Sequence, residues 1–241
     1  MIGPDELFAR ATDPRQYDAE AMDWTPEGDA DAPWPRFVRE RLAPALGPLA
    51  GRSVIDLGCG TGHLALLFAR LGAGAMTGLE PSARHAGAAR RRHPGLRVVR
   101  GGLPRAPFRR AFDDAVAVLS LEHQRSLDEA YASVATLLRP GGRFVAIAGD
   151  PEFHRTPRWG LGLVTHARAD GSLLVATTYP VGTVHDVIRP PEQFERAARG
   201  AGFDVTDRAA LAPDEALIAR DPRWRLFSGR PVAWLITAAA P

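Results

Sequence analysis

The sequence predicts an α/β protein built on a doubly wound, mostly parallel sheet, and three observations carry that prediction. First, residues 54–57 read as a short buried strand, Gly58, Gly60 and Gly62 alternate through a turn, and residues 64–71 read as a helix with apolar side chains at 64, 67, 68 and 71. A strand, a glycine turn and a helix make the first half of a nucleotide-binding βαβ unit. The glycines let the backbone turn tightly, and the helix N-terminus offers unpaired N–H groups to a ligand. Second, strand-like and helix-like stretches keep alternating from there onward. Third, Glu80 closes the next predicted strand about 20 residues beyond the loop, where an acid reaches ribose hydroxyls in doubly wound folds.

The elements follow in order. Residues 4–11 form a predicted helix, with Asp5 and Glu6 in its first turn. Residues 13–32 are acidic and irregular and carry Tyr17 and Trp24. Residues 35–46 suit a helix that packs Phe37, Val38, Leu42 and Leu46 and ends before Gly47. Strand 75–79 leads to Glu80, and Ser82 caps a helix over 82–92. That helix ends in Arg90-Arg91-Arg92, which complements its dipole before Pro94-Gly95 stops it. Strands at 96–99 and 112–118, a helix at 127–138 and a fifth strand from about 143 complete the first half. The stretch 150–188 is too long for a simple link. It predicts a hairpin, 161–167 and 173–179, turning at Asp170-Gly171. A helix at 190–199 opens with proline, and strands at 204–211 and 232–239 finish the chain.

Composition bounds the function. The 241 residues are enough for one sizeable core, and 45% hydrophobic with 24% charged content is ordinary for a soluble globular protein. No apolar run is long enough to span a bilayer and no secretory leader is read, so a cytoplasmic location without a membrane partner is expected. Cys59 is the only cysteine, which excludes an intrachain disulfide. The pI of 9.2 arises because the 30 cations, all arginine, nearly balance 28 acids. No aromatic residues interleave with the arginines at 90–92 for base stacking, so a nucleic-acid partner is not expected.

The loop Asp56-x-Gly58-x-Gly60-x-Gly62 resembles motif I of the class I S-adenosylmethionine-dependent methyltransferases. His63 stands where a dinucleotide fingerprint needs its third glycine, which argues against NAD. Phe112-Asp113-Asp114-Ala115 and Arg139-Pro140-Gly141-Gly142 are similar to two further landmarks of that family. The resemblance implies a Rossmann-like, seven-stranded sheet with N-terminal helices and an insertion after the fifth strand. It divides a single domain, 1–241, into an N-terminal cap (1–50), a cofactor half (51–150), an insertion or lid (151–189) and a C-terminal part (190–241).

The resemblance also implies S-adenosyl-L-methionine as cofactor. Asp56, Gly58, Cys59, Gly60 and Gly62 would surround its amino-acid end, and Glu80 its ribose, with Pro81, Gly102, Leu103 and Leu119 completing the set. Relatives often carry an aspartate near position 102 for the adenine amine; Gly102 departs from this, so backbone groups at 101–103 must supply that contact. Tyr17 and Trp24 from the cap, and His154, Trp159 and Tyr179 from the insertion, are the expected acceptor-binding residues. The alternative for the first two is that they merely pin a loose segment.

Methyl transfer is an in-line displacement that chiefly needs alignment, and a hydroxyl acceptor also calls for a base. His123, at the end of the fourth strand, is the first candidate base, His185 the second and His154 the third; transfer by proximity alone is the alternative. One cysteine and scattered histidines give no zinc spacing, and Gly-x-Ser-x-Gly is absent. The expectation is methyl transfer to oxygen or nitrogen of a small, biosynthetic molecule by a monomer or homodimer. An RNA or protein methyltransferase and a non-catalytic cofactor-binding module are the alternatives.

Overall fold

Segments of alternating character fold into helices α1 (Pro4–Ala11) and α2 (Pro33–Leu46), then β1 (Ser53–Leu57), α3 (Ala65–Arg70), β2 (Ala75–Glu80), α4 (Ala83–Arg92), β3 (Arg97–Arg100) and β4 (Phe112–Val118). The second half runs α5 (Leu127–Leu137), β5 (Leu138–Gly149), α6 (Pro151–Arg155), β6 (Gly162–Ala167), β7 (Leu173–Tyr179), β8 (Gly182–Ile188), α7 (Pro191–Gly200), β9 (Asp204–Leu211), α8 (Glu215–Arg220) and β10 (Ala233–Ala239). Short 3-10 turns sit at Pro14–Asp18, Leu121–His123 and Pro222–Phe227. This computed structural model describes residues 2–18, 32–180 and 182–241.

Seven strands make one sheet in the order β3-β2-β1-β4-β5-β10-β9, parallel except for β10, which runs against both its neighbours. The order reverses between β1 and β4, and in such sheets a ligand crevice opens beyond the strand ends at that switch point. Side chains alternate across the sheet. Ala115 and Ala117 of β4 face the core under α5 and α7, with Tyr131, Phe144 and Phe194. Val116 faces the opposite core, with Phe37, Leu42 and Leu46 of α2 and Phe68 of α3. Fully burying each of these large side chains is worth about 1.5–3 kcal/mol, so α2 is firmly docked. Asp114 is buried in β4, where Arg52 Nε (2.5 Å) and Arg143 Nε (2.7 Å) pair with it. The Ser82 hydroxyl accepts from His85 N–H at the start of α4, and Ser126 does the same for Glu129 at the start of α5.

Three features differ from the sequence-based expectation. The insertion is a three-stranded antiparallel sheet, β6-β7-β8, rather than a hairpin. Its third strand is stabilised from far away in sequence: Leu7 and Ala11 of α1 pack on Leu174 and Ala176 of β7 and Val187 of β8. The Arg139–Gly142 stretch is absorbed into β5 as a register shift, so that Phe112 pairs with Leu138 but Asp114 pairs with Arg143. α6, and α8 with the 3-10 turn after it, lie in stretches to which the sequence pattern assigns no helix; α8 and that turn bury Leu217, Trp224 and Phe227 against α2 and the sheet.

Candidate active site

β1 delivers the chain to the glycine loop. Gly58 has φ +77°, and a Cβ there would lie 2.6 Å from Ser120 Cβ, so the ends of β1 and β4 approach each other only because Gly58 has no side chain. At Gly60 (φ +54°) a Cβ would meet nothing within 4 Å. The loop is tied to β2 by Glu80, whose two carboxylate oxygens accept Gly60 N–H and Ser82 N–H, each at 2.8 Å. Burial raises the pKa of Glu80 and the two N–H bonds oppose that rise. The neighbouring Asp56 is pushed up to about 8, by burial first and Glu80 second.

Over these strand ends lies a cavity of about 510 Å³ walled by Gly58, Gly60, Glu80, Pro81, Gly102, Leu103 and Leu119. These residues fit S-adenosylmethionine: an open glycine wall, an acid at the end of β2, and apolar Leu79, Leu103 and Leu121 for a purine. A second cavity of about 370 Å³ adjoins it, and Tyr17, Gly58, Gly60, His63 and Leu119 wall both. Its own walls are Trp34, Pro35, Val38 and Arg39 of α2, Val118 and Glu122 at the end of β4, His154 of α6, and Tyr179, Val184, Asp186 and Ile188 of the small sheet; Asp56 and Cys59 also border it.

Burial sets the charge states in this second cavity. His154 is pushed down to about 3 by desolvation and then by Arg158, so its ring is neutral. Asp186 is pushed up to about 7 by burial, with Arg158 pulling the other way. Burial likewise raises the pKa of Glu122, against the hydrogen bond that it accepts from Gly149 N–H at 2.8 Å.

His123 stands at the junction of the cavities. Its Nδ1 lies 3.1 Å from Ala11 O, an acceptor only, and 3.4 Å from Gln16 Nε2, a donor; with the proton on Nδ1 toward the nearer carbonyl, Nε2 accepts from Tyr17 OH at 2.6 Å. Desolvation lowers its pKa, consistent with a neutral ring. Both ring nitrogens are therefore engaged, and the imidazole ties Tyr17 to the end of β4. Gln16 adds a second tie: its Oε1 accepts His185 N–H at 3.0 Å and its Nε2 donates to His185 O at 3.3 Å.

Most of the expected site residues come together: Asp56, Gly58, Cys59, Gly60, Glu80, Pro81, Gly102, Leu103, Leu119, Tyr17, His123, His154 and Tyr179 all border one or both cavities. Three do not. Gly62 faces away: a Cβ there would be 2.6 Å from His93 Cδ2, so this glycine serves the packing of the loop on α4. His185 lies on the other face of β8 from Val184 and Asp186, because strand side chains alternate; charges on Arg10 and Glu6 of α1 act on its ring. Trp159 packs against Phe153, Trp224 and Phe227, with its indole N–H directed at Arg223 O (3.4 Å), and belongs to an aromatic cluster beside the site. Trp24 lies outside the described residues. Glu122 and Asp186 were not among the expected residues. Glu122 precedes His123 and was legible as an acid at a strand end, whereas Asp186 had no signal until β8 formed. Asp150 caps α6 and accepts Trp234 Nε1–H at 2.8 Å. Among the described residues no group of three or more His, Cys, Asp or Glu is arranged to hold a metal ion, and no helix is long and apolar enough to cross a membrane.

A model of a methyltransferase domain matches residues 54–142. A ubiquinone biosynthesis O-methyltransferase of Methylobacterium sp. (strain 4-46) is 30% identical over 225 residues, covering 88% of this chain and 81% of that protein. A tRNA U34 carboxymethyltransferase of Trichlorobacter lovleyi is 33% identical over 123 residues, 47% of this chain and 38% of that protein. Among solved structures, a glycopeptide N-methyltransferase complexed with S-adenosyl-L-methionine superposes with a TM-score of 0.60 at 22% identity, covering 85% of this chain and 93% of that one. With the strand order, the glycine loop and Glu80, these likenesses place the chain in the class I S-adenosylmethionine-dependent methyltransferases. It is a methyltransferase enzyme of Rossmann-like fold, and its cofactor is S-adenosyl-L-methionine.

Proposed function

We propose that this enzyme methylates an oxygen or nitrogen atom of a small molecule bound in the second cavity. The observation that carries the reading is that cavity itself: about 370 Å³, beside the cofactor cavity, and covered by β7, β8, α2 and Tyr17. That volume suits a small, largely apolar ligand. The sulfonium of the bound cofactor supplies an electrophilic methyl group. Asp56, Gly58, Cys59 and Gly60 would hold its amino-acid end, Glu80 its ribose, and the backbone around Gly102 and Leu103 its adenine. Tyr17, His154 and Tyr179 form the acceptor wall, and His123 positions Tyr17 where the two cavities meet. Similarity to an O-methyltransferase along most of the chain supports a small acceptor.

The test is incubation of the enzyme with a cell extract and methyl-labelled cofactor, followed by fractionation. Label is expected in the low-molecular-weight fraction. Label confined to RNA or protein would overturn the reading, and cofactor binding with no label in any fraction would identify a non-catalytic module.

A further inference from the structure

We propose that Glu122 receives the acceptor: its free carboxylate oxygen takes the hydrogen bond, and then the proton, of the O–H or N–H that becomes methylated. The inference rests on the second cavity being the acceptor site. Glu122 sits in the 3-10 turn after β4, borders that cavity, and is only 2% exposed. Its Oε1 is satisfied by Gly149 N–H at 2.8 Å, while Oε2 is buried with no partner. Five buried side-chain atoms among the described residues lack a partner, and only Glu122 Oε2 and His154 Nδ1 belong to residues of this cavity wall. The two side chains meet at Gly149, which gives its N–H to Glu122 and on which a Cβ would be 2.6 Å from His154 Nε2.

A buried, unpaired carboxylate oxygen costs its full desolvation penalty, which a ligand donor would relieve. Of the other groups at the junction, His123 has its acceptor lone pair taken by Tyr17, and Asp186, whose Oδ1 lies 3.7 Å from His123 Nε2 and so beyond hydrogen-bond distance, has Arg158 acting on its charge. Arg189, whose guanidinium donates to the carbonyls of Leu121 and Gln124, acts on the charge of Glu122. The pocket therefore offers little surplus negative charge to an ammonium, and a neutral hydroxyl or amine fits better. In the step, the acceptor atom bonds to the methyl carbon as its proton passes to Glu122. The electron pair of the broken carbon–sulfur bond stays on sulfur, which leaves as a neutral thioether.

Matched probes test this by calorimetry on the enzyme loaded with S-adenosylhomocysteine: catechol against its dimethyl ether, and aniline against N,N-dimethylaniline. In at least one pair the member with O–H or N–H is expected to bind about 10-fold tighter or more, the worth of a hydrogen bond to a charged group. Glu122→Gln keeps the partner of Gly149 N–H, so the fold and the S-adenosylhomocysteine affinity should persist while the discrimination disappears. Discrimination that survives in the variant overturns the proposal alone. If no probe binds while S-adenosylhomocysteine does, the acceptor-cavity reading falls with it. For a probe that is turned over, Glu122→Gln should lower kcat about 100-fold or more near neutral pH, recovering as pH approaches the acceptor's own ionisation. A loss that is flat in pH would refute the proton-accepting role.

Discussion

The two cavities share a wall yet are finished differently. The glycine-loop wall of the cofactor side is short-range structure: β1, the loop and the end of β2 lie between Ser53 and Glu80, and Glu80 has both oxygens paired to backbone N–H groups. The second cavity, the proposed acceptor side, draws on α2, the end of β4, α6, β7 and β8, and Glu122 there has one oxygen paired and one not. A site whose polar groups are satisfied in advance is rigid before its ligand arrives. One with an unmet buried oxygen is completed by its ligand. The first arrangement suits a cofactor common to the whole family, and the second suits an acceptor particular to this enzyme.

The largest effect should come from Glu80. Glu80→Ala is expected to weaken S-adenosylhomocysteine binding by about 1.5–3 kcal/mol, roughly 10–150-fold, because it removes a charged hydrogen-bond acceptor and frees the loop. Asp186→Asn, on the acceptor side, should leave that affinity within about 3-fold. Calorimetry showing equal losses in the two variants would erase the distinction between the walls.

A smaller effect is expected where the walls join. His123→Phe strands Tyr17 OH and should cost about 1–3 kcal/mol of stability in denaturant titrations. Stability equal to wild type would mean that the Tyr17–His123 bond does not hold the N-terminal segment down. Excision of 160–177 would disturb the same junction, because α1 packs on β7 and the chain runs on from it to Tyr17. The small sheet therefore supports the cofactor wall as well as the acceptor.

The mildest effect is on pH dependence. Asp56 and Asp186, pushed up to about 8 and about 7, bind more protons folded than unfolded above their ordinary pKa of 3.8. Stability therefore falls as pH rises through that range. His154, pushed down to about 3 from 6.5, acts in the opposite sense but only below its unfolded value. Between about pH 6.5 and about pH 8 these acids act without that opposition, so the melting temperature of the cofactor-free protein should decline there. Asp186→Asn should make the decline shallower. An unchanged slope would show that Asp186 carries no such burden.

Much of the cofactor side was legible in the chain. Alternating glycines after a buried strand, an acid closing the next strand and a serine before a helix act over a few residues, through backbone conformation and capping. Gly62 shows the limit even there: spacing marked it as part of the loop, but only the packing of His93 against it shows which neighbour requires the glycine. On the acceptor side, side-chain direction decided the outcome. Adjacent residues of a strand face opposite ways, so once β8 paired with β7, Asp186 turned into the cavity and His185 turned toward α1. The sequence marked His123 as a histidine at a strand end, and only the fold brought Tyr17 and Ala11 to its two nitrogens. Trp159 was visible as an aromatic in the insertion, and the arrival of Trp224 and Phe227 from beyond β9 made it part of a packing cluster. The sequence by itself marked the glycine loop and its flanking strand and helix through local backbone geometry, and its resemblance to a known family implied the seven-stranded sheet and the cofactor. Which side chains face the acceptor was decided by tertiary structure, because it depends on pairings between segments more than 100 residues apart, such as Tyr17 with His123 at a separation of 106.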